Sequence, residues 1–509
     1  MKILSAEDIK LWDQFTIQNE PVTSINLMER AASKCVEWLE KQECSGKHFS
    51  IYCGMGNNGG DGLAIARLLA ERKFSVSVYV LETGNKGTAD FRTNIQRLQF
   101  YKAVVIEHIS SEKDFAKTNS GEIIIDALLG SGLNRPLEGL TSKLVSHINH
   151  SDCEIISIDI PSGLYVDSSS KANTVIHAKH TLSFQCFKMA FLFPENATAI
   201  GKVHILDIGL HPRFYENVFS RYQLIEATLI KNIYQPRDLF AHKGTFGHAA
   251  IVAGSTGMMG AATLCAKASL RSGAGKLTCY VPKTGYEIMQ TSVPEAMSRI
   301  SGTKDYIEWA DGISEFDSVA IGPGIGINEY TTGLLKSVLQ QTKKPVVIDA
   351  DALNILASNH SLFQDIPPYS ILTPHKKEFE RLFGKSENAC LSDRQDFDEV
   401  KLAEQKAKEL NVVIILKGHY SFIATPQEGG YFNSTGNAGM ATGGSGDVLT
   451  GILAGLLAQK YSSVEAAILG VYLHGVAGDL AAEKFSEEAM VAGDIVDYLG
   501  NAFKKISGE

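Results

Sequence analysis

Residues 51–73, IYCGMGNNGGDGLAIARLLAERK, decide the fold of the first half of the chain. A short apolar run enters a turn dense in glycine, and a stretch with apolar residues at helical spacing leaves it. Strand, glycine-rich turn and helix in that order open a βαβ unit. Glycines let the backbone approach a ligand closely, and the N–H groups at a helix start attract an anion. A tight turn needs the glycines alone. Two asparagines and an aspartate exceed that need, so Asn57, Asn58, Gly59, Gly60 and Asp61 are candidate ligand contacts.

Outward from this unit, short β-branched runs alternate with helical patterns, which is the signature of a parallel sheet covered by helices. Strands are predicted at Phe49–Cys53, Val76–Leu81, Ile123–Asp126, Ile155–Ile160 and Val203–Ile208. Helices are predicted at Leu63–Arg72 and Leu137–Asn149, with an N-terminal helical arm at Ala6–Gln18 and Ile25–Gln42. Two further loops leave strand ends, DALLGSGLNRP at 126–136 and DIPSG at 159–163. The carboxyl ends of strands in an open parallel sheet converge on one crevice. Asp126, Asp159, Ser162 and the run Gly130, Ser131, Gly132, Leu133, Asn134, Arg135, Pro136 are therefore expected to face one ligand together with Asn57–Asp61. The competing reading has each aspartate simply capping its own turn.

A polar stretch without strong period, LHPRFYENVFSRYQLIEATLIKNIYQPRD at 210–238, follows. A domain boundary is placed there, near residue 225 and within about 15 residues of it. Residues 1–225 and 226–509 are thus read as two doubly wound α/β domains. In the second, strands are predicted at Ala249–Ala253, Lys276–Val281, Ser318–Ile321, Val346–Ile348, Ser370–Leu372 and Val412–Leu416, with late apolar helices at Asp447–Gln459 and Ser463–Lys484.

The strongest chemical signal of that half is GNAGMATGGSGDVLTGILAGLLAQ at 436–459. Gly443, Gly444 and Gly446 precede a helix whose N-terminal dipole suits the negative charge of a transferring phosphoryl group. Asp447 falls in the first turn, where it can accept a proton from a substrate hydroxyl or merely stabilise the helix start.

Composition bounds the partners. Lys and Arg number 48 against 57 for Asp and Glu, a net charge of −9, which argues against a phosphate-neutralising surface and hence against nucleic acid. Eight cysteines, at 35, 44, 53, 153, 186, 265, 279 and 390, form no CxxC pair and read as reduced thiols. The N-terminal MKILSAEDIKLWDQFT lacks the apolar core of a signal peptide, and no run reaches the length of a membrane span. A cytoplasmic protein with no membrane contact is expected, as a homo-oligomer.

LMERAA, GMGNNGGDG, DALLGSGLNRP and DIPSG together resemble the N-terminal epimerase domain of the nicotinamide-nucleotide-hydrate repair family over residues 1–220. The resemblance implies a Rossmann-like domain in which Asn57–Asp61 and Gly130–Pro136 hold the dinucleotide, Asp159 contacts substrate, and a potassium ion sits near Asn58, Asp126 and Ser162. An amide oxygen, a carboxylate and a hydroxyl are hard donors suited to such an ion. Epimerising a hydrated C6 centre moves protons around a hemiaminal, which makes Asp159 the candidate acid–base.

The GGSGD loop resembles the anion-hole motif of the ribokinase-like superfamily. HKGTFGHAAIVAGSTGMMGAA, GPGIG, DADAL, LTPHKKEFERL, LKGHYSFIA and NAGMATGGSGD, in that order, resemble the dehydratase of the same repair family. That implies adenine-nucleotide contacts from Lys417, Gly418, His419, Tyr420 and Ser421, and from Asn437, Gly439, Met440, Ala441, Thr442, Gly443, Gly444, Ser445 and Gly446. It also implies substrate contacts from Ala262, Gly326, His375 and Asp447. Relatives carry proline after this histidine, where Lys376 stands here. The implied activity is bifunctional: epimerisation of R and S hydrates of NAD(P)H, and dehydration of the S form at the expense of ADP or ATP with Mg2+ bridging the phosphates. The resemblance to fused two-domain members points to ADP rather than ATP. The alternatives are a small-alcohol kinase fused to a nucleotide-binding regulatory module, and a non-enzymatic first half that binds without catalysing.

Overall fold

The computed structural model describes residues 1–44, 46–84, 86–302, 304–384 and 396–508, so the expectation for Cys390 lies outside the described residues. Two compact units divide the chain, one built on Met1–Ser220 and the other on residues from Arg221 onward. Both are α/β with predominantly parallel sheets. The described cysteines are unpaired thiols, buried except for Cys153.

In the first unit the strands lie in the order Val105–Ile109, Ser75–Leu81, His48–Cys53, Ile123–Ala127, Glu154–Ile158, His180–Phe184 and Lys202–Leu206, all parallel. The chain runs outward from His48–Cys53 in one direction and from Ile123–Ala127 in the other. The order therefore reverses between these two strands, where a crevice opens at their carboxyl ends. The glycine-rich turn and the DALLGSG loop flank that point.

Periodicity at the turn misplaced one boundary. The helix begins at Asn57 and runs to Glu71, so NNGGD is its first turn rather than a loop before it. Packing explains the glycines there: a Cβ on Gly59 would lie 1.6 Å from the Gly54 carbonyl oxygen, and one on Gly62 2.6 Å from the Ala127 Cβ. Only glycine lets this helix start sit directly on the strand ends. The strand predicted to continue to Ile160 stops at Ile158, because Asp159 turns left-handed with φ 69°. Val105–Ile109 and His180–Phe184 were not foreseen.

The second unit orders its strands Tyr222–Leu224, Gly430–Phe432, Phe422–Ala424, Val413–Leu416, Ile371–Leu372, Val346–Ile348, Ser318–Ile321, His248–Val252, Lys276–Val281 and Met297–Ile300. Phe422–Ala424 runs antiparallel to its neighbours and the remainder pair in parallel. The stretch read as polar and without strong period contributes the strand Tyr222–Leu224 and the helices Pro212–Asn217 and Ala227–Ile233. Against one face of the sheet pack Met259–Arg271, Ser445–Ala458, Ser463–Phe485 and Ala492–Ser507. The helix Ser463–Phe485 is long and apolar enough to cross a membrane by length and composition, but 72% of its most apolar window is buried inside the protein.

Candidate active sites

At the mouth of the first crevice Asp159 is nearly buried. Its Oδ1 meets the ammonium of Lys188 at 2.9 Å, and its Oδ2 accepts the Ser131 N–H at 2.9 Å. Lys188 has no solvent exposure; its Nζ also donates to the Asp159 carbonyl at 3.3 Å and to the Ser183 hydroxyl. Burial alone pushes the Asp159 carboxyl up. The Lys188 charge and the Ser131 hydrogen bonds outweigh it and hold Asp159 below the usual carboxylate range. Two other acids are driven the opposite way. Asp61 lies well above its ordinary value, through burial and then the charge of Asp159, and Asp13 is pushed up to about 7 by the same causes against the opposing Lys188.

Asp126 is fully buried and accepts four donors: the Leu128 N–H, the Ser157 hydroxyl, and both the N–H and hydroxyl of Ser162. It thus has the capping role that the competing reading assigned, and more. Beside Asp159, a Cβ on Gly130 would lie 3.0 Å from Asp159 Oδ2 and 3.3 Å from Asn58 Cγ, so these residues share one small space. Both polar atoms of the buried Asn58 side chain lack any hydrogen-bond partner within the protein. A buried amide left so is costly, and points to a missing ligand. Gly132, Asn134, Arg135 and Pro136 are exposed on the rim, with Leu133 half-buried among them and Asn57 exposed at the helix start.

The second site centres on the helix Ser445–Ala458, entered through Gly444 at φ 93°. Asp447 is its third residue. Burial first, then the charge of Asp349, pushes the Asp447 carboxyl up to about 6, with Lys417 opposing. Lys417 follows the strand Val413–Leu416 and pairs with Asp349 Oδ1 at 2.9 Å, with Glu378 at 4.0 Å. A Cβ on Gly446 would come within 3.3 Å of the Lys417 Nζ, so this lysine lies on the turn itself.

His375 caps the helix Lys376–Phe383, its Nδ1 accepting from the N–H groups of Lys377 and Glu378, and its backbone bridges to Lys417. Gly418 to Ser421 form a tight turn closed by the Ser421 hydroxyl on the Gly418 carbonyl, with His419 stacked edge-on against Tyr420. Asn437 is locked by Asp479 at 3.1 Å, and Gly439 and Met440 pack inward against Glu487 and Gly478. Ala441, Thr442 and Gly443 reach the surface, and Ser445 meets His474 at 3.3 Å. Gly326 donates its N–H to Asp351 at 2.8 Å, whereas Ala262 is wholly buried against Gly254.

Residues 249–501 match the family described as NAD(P)H-hydrate dehydratase, and residues 24–190 match that described as YjeF-related protein N-terminus. A protein of Moorella thermoacetica named bifunctional NAD(P)H-hydrate repair enzyme is 34% identical, over 100% of this chain and 98% of its own. The chain belongs to the bifunctional NAD(P)H-hydrate repair enzyme family. Its Escherichia coli relative of the same name is 31% identical over 97% of this chain and 92% of that one. Among solved structures, the ADP/ATP-dependent NAD(P)H-hydrate dehydratase of Bacillus subtilis, co-crystallised with ATP and Mg2+, is 30% identical and covers 56% of this chain and 98% of its own, with a TM-score of 0.48. Membership of the repair family disfavours the small-alcohol kinase alternative.

For this member of the family, sequence reading missed Lys188 and Asp13 in the first unit and Asp349, Asp351, Glu378 and Thr450 in the second. Lys188 stood in the open as a lone cation in FQCFKMAFLF, where a buried lysine demands a partner. Asp349 and Asp351 lay inside DADAL. The departure at Lys376 is resolved by geometry, since Lys376 is the first residue of its helix, the position where proline fits without loss. Its ammonium reaches Glu399 at 2.9 Å.

Proposed function

We propose that residues 1–225 epimerise NAD(P)H hydrates and that residues 226–509 dehydrate the S form using ADP or ATP. The dinucleotide lies over the helix start at Asn57, between the Asn57–Asp61 and Gly130–Pro136 segments. The ionised Asp159 takes the proton of the C6 hydroxyl as the C6–N1 bond opens to a carbonyl at C6, and the protonated acids Asp13 and Asp61 are suited to give the released nitrogen pair a proton. Re-closure of N1 on the other face of C6, with the protons returned, gives the opposite epimer. Lys188 keeps Asp159 ionised.

The potassium ion implied by the resemblance fits what Asn58 lacks. The Asn58 Oδ1 is orphaned, and the Ser162 hydroxyl has an alternative acceptor in the Leu129 carbonyl at 3.1 Å, so turning to it frees a lone pair of Asp126. Asn58, Asp126 and Ser162 would hold the ion, which would offset the carboxylate charge near the dinucleotide phosphates.

In the second unit Asp447 accepts the proton of the C6 hydroxyl as its oxygen bonds to the terminal phosphorus of the nucleotide and the bond to the leaving nucleotide breaks. Loss of phosphate from C6 with a proton from C5 then restores the dihydronicotinamide. The Gly443–Gly446 turn receives the phosphoryl charge, with Lys417–Ser421 and Asn437–Thr442 beside the nucleotide, and His375 and Gly326 on the substrate side. Among the described residues there is no cluster of three or more His, Cys, Asp or Glu that could hold a metal; Mg2+ carried on the nucleotide phosphates would offset their charge.

The observation that carries this reading is Asp447 in the first turn of a helix entered through GGSG, its carboxyl poised at about 6. Incubating the protein with hydrated dinucleotide and either ADP or ATP, and following dihydronicotinamide absorbance, tests it. Absorbance should recover with added nucleotide and not without it. Recovery with neither nucleotide would remove the dehydratase reading.

A further inference from the structure

Asp349 stands at the end of the strand Val346–Ile348 with almost no exposure, and both its oxygens are committed. Oδ1 takes the Lys417 ammonium at 2.9 Å. Oδ2 accepts the Thr450 hydroxyl at 2.7 Å. Thr450 sits on the helix Ser445–Ala458 three residues beyond Asp447, on the same face. One carboxylate therefore ties the lysine to the helix that carries the reactive acid. The Gly446 position lies between them, since a Cβ there would be 3.3 Å from Lys417 Nζ and 3.6 Å from Asp349 Oδ2.

We propose that Asp349 is a positioning residue of the dehydratase reaction, holding Lys417 against the glycine turn and withholding it from Asp447. The inference rests on the reading of Asp447 as the base. A lysine paired directly with Asp447 would hold that carboxyl ionised to a lower pH, as Lys188 does Asp159. With Asp349 interposed, the lysine stays at the turn, where the phosphoryl charge arrives. Asp447 keeps a basicity matched to neutral pH.

The groups that bear on Asp447 are Asp349, Lys417 and Asp351. Behind these stand Glu378 beside Lys417, and His375 on Glu378 at 3.4 Å. His474 beneath Ser445 is pushed down to about 4 by burial and stays neutral above that pH, and the Cys265 thiol is pushed far up by burial and stays protonated.

The test is the pH dependence of nucleotide-dependent dehydration in the full-length protein, for the parent, Asp349→Asn and Asp349→Ser. Each variant removes a negative charge that raises Asp447 and releases Lys417, which lowers it. The acid limb of kcat should therefore move down by about one pH unit, while Asp349→Glu, which restores the charge, should return it towards the parent. A limb that stays in place while kcat falls would overturn the proposal, because a structural role lowers the rate without moving the limb. So would failure of both neutral variants to fold, which makes Asp349 a requirement of the fold. Asp447→Asn run alongside separates the two claims. If it loses dehydration while the Asp349 limb is unmoved, the base stands and the positioning role falls; if it keeps dehydration, the base itself falls.

Discussion

Each unit sets an aspartate near a lysine, and the two pairs are wired in opposite ways. In the first, Lys188 is wholly buried and touches Asp159 directly at 2.9 Å, and the aspartate is held below its ordinary range. In the second, Lys417 gives its 2.9 Å contact to Asp349, and Asp447 rises to about 6. Both sites hold an aspartate and a lysine, and the partner of the lysine differs between them. The chemistry follows from the partner of the lysine. A carboxylate paired with the lysine is charged down to lower pH, and one denied it titrates near neutrality.

The largest expected effect is that of Asp447→Asn, which should lower nucleotide-dependent dehydration by about 10²–10⁴-fold while epimer interconversion continues. Retention of more than about a tenth of the activity would be incompatible with a general base. Next, Lys188→Met strands Asp159 as a buried unpaired charge. It should cost roughly 3–5 kcal/mol in urea unfolding followed by Trp12 and Trp38 fluorescence, and should raise the Asp159 carboxyl. A stability change near zero would show that the Lys188 pair is not doing what its burial implies.

A smaller effect is expected at the ion. Potassium should strengthen dinucleotide binding relative to a bulky organic cation at equal ionic strength in the parent, and not in Asp126→Ala, as read by calorimetry. Equal affinities in both salts would return Asp126 to its four protein donors alone. The smallest is Lys376→Pro, which places proline at a first helical position. Stability in urea unfolding should shift by no more than about 0.5 kcal/mol, since proline suits a first helical position and the Glu399 contact it removes belongs to a half-exposed lysine.

Much of this is legible in the sequence. GMGNNGGDG and GGSGD announced themselves because glycine and acid appear together where a turn needs glycine alone, and the alternation of strand and helix announced parallel sheets. The short strands Met297–Ile300, Phe422–Ala424 and Gly430–Phe432 were too brief for periodicity to reveal. Asp13 was hidden for a different reason. It is one of several acids on the Ala6–Asn19 helix, and only the fold singles it out by bringing it within reach of Asp159 and Lys188. Asp349 was visible within DADAL, but its task depends on Lys417, 68 residues later in the chain.

The most direct test of the opposed wiring is the pH dependence of both reactions on one preparation. Dehydration should fall on the acid side with a limb near pH 6, as Asp447 gains its proton. Epimerisation should continue below that, because Asp159 stays ionised, and should decline on the alkaline side as Asp13 loses its proton at about 7. Two profiles with the same acid limb, or dehydration undiminished well below pH 6, would contradict the account.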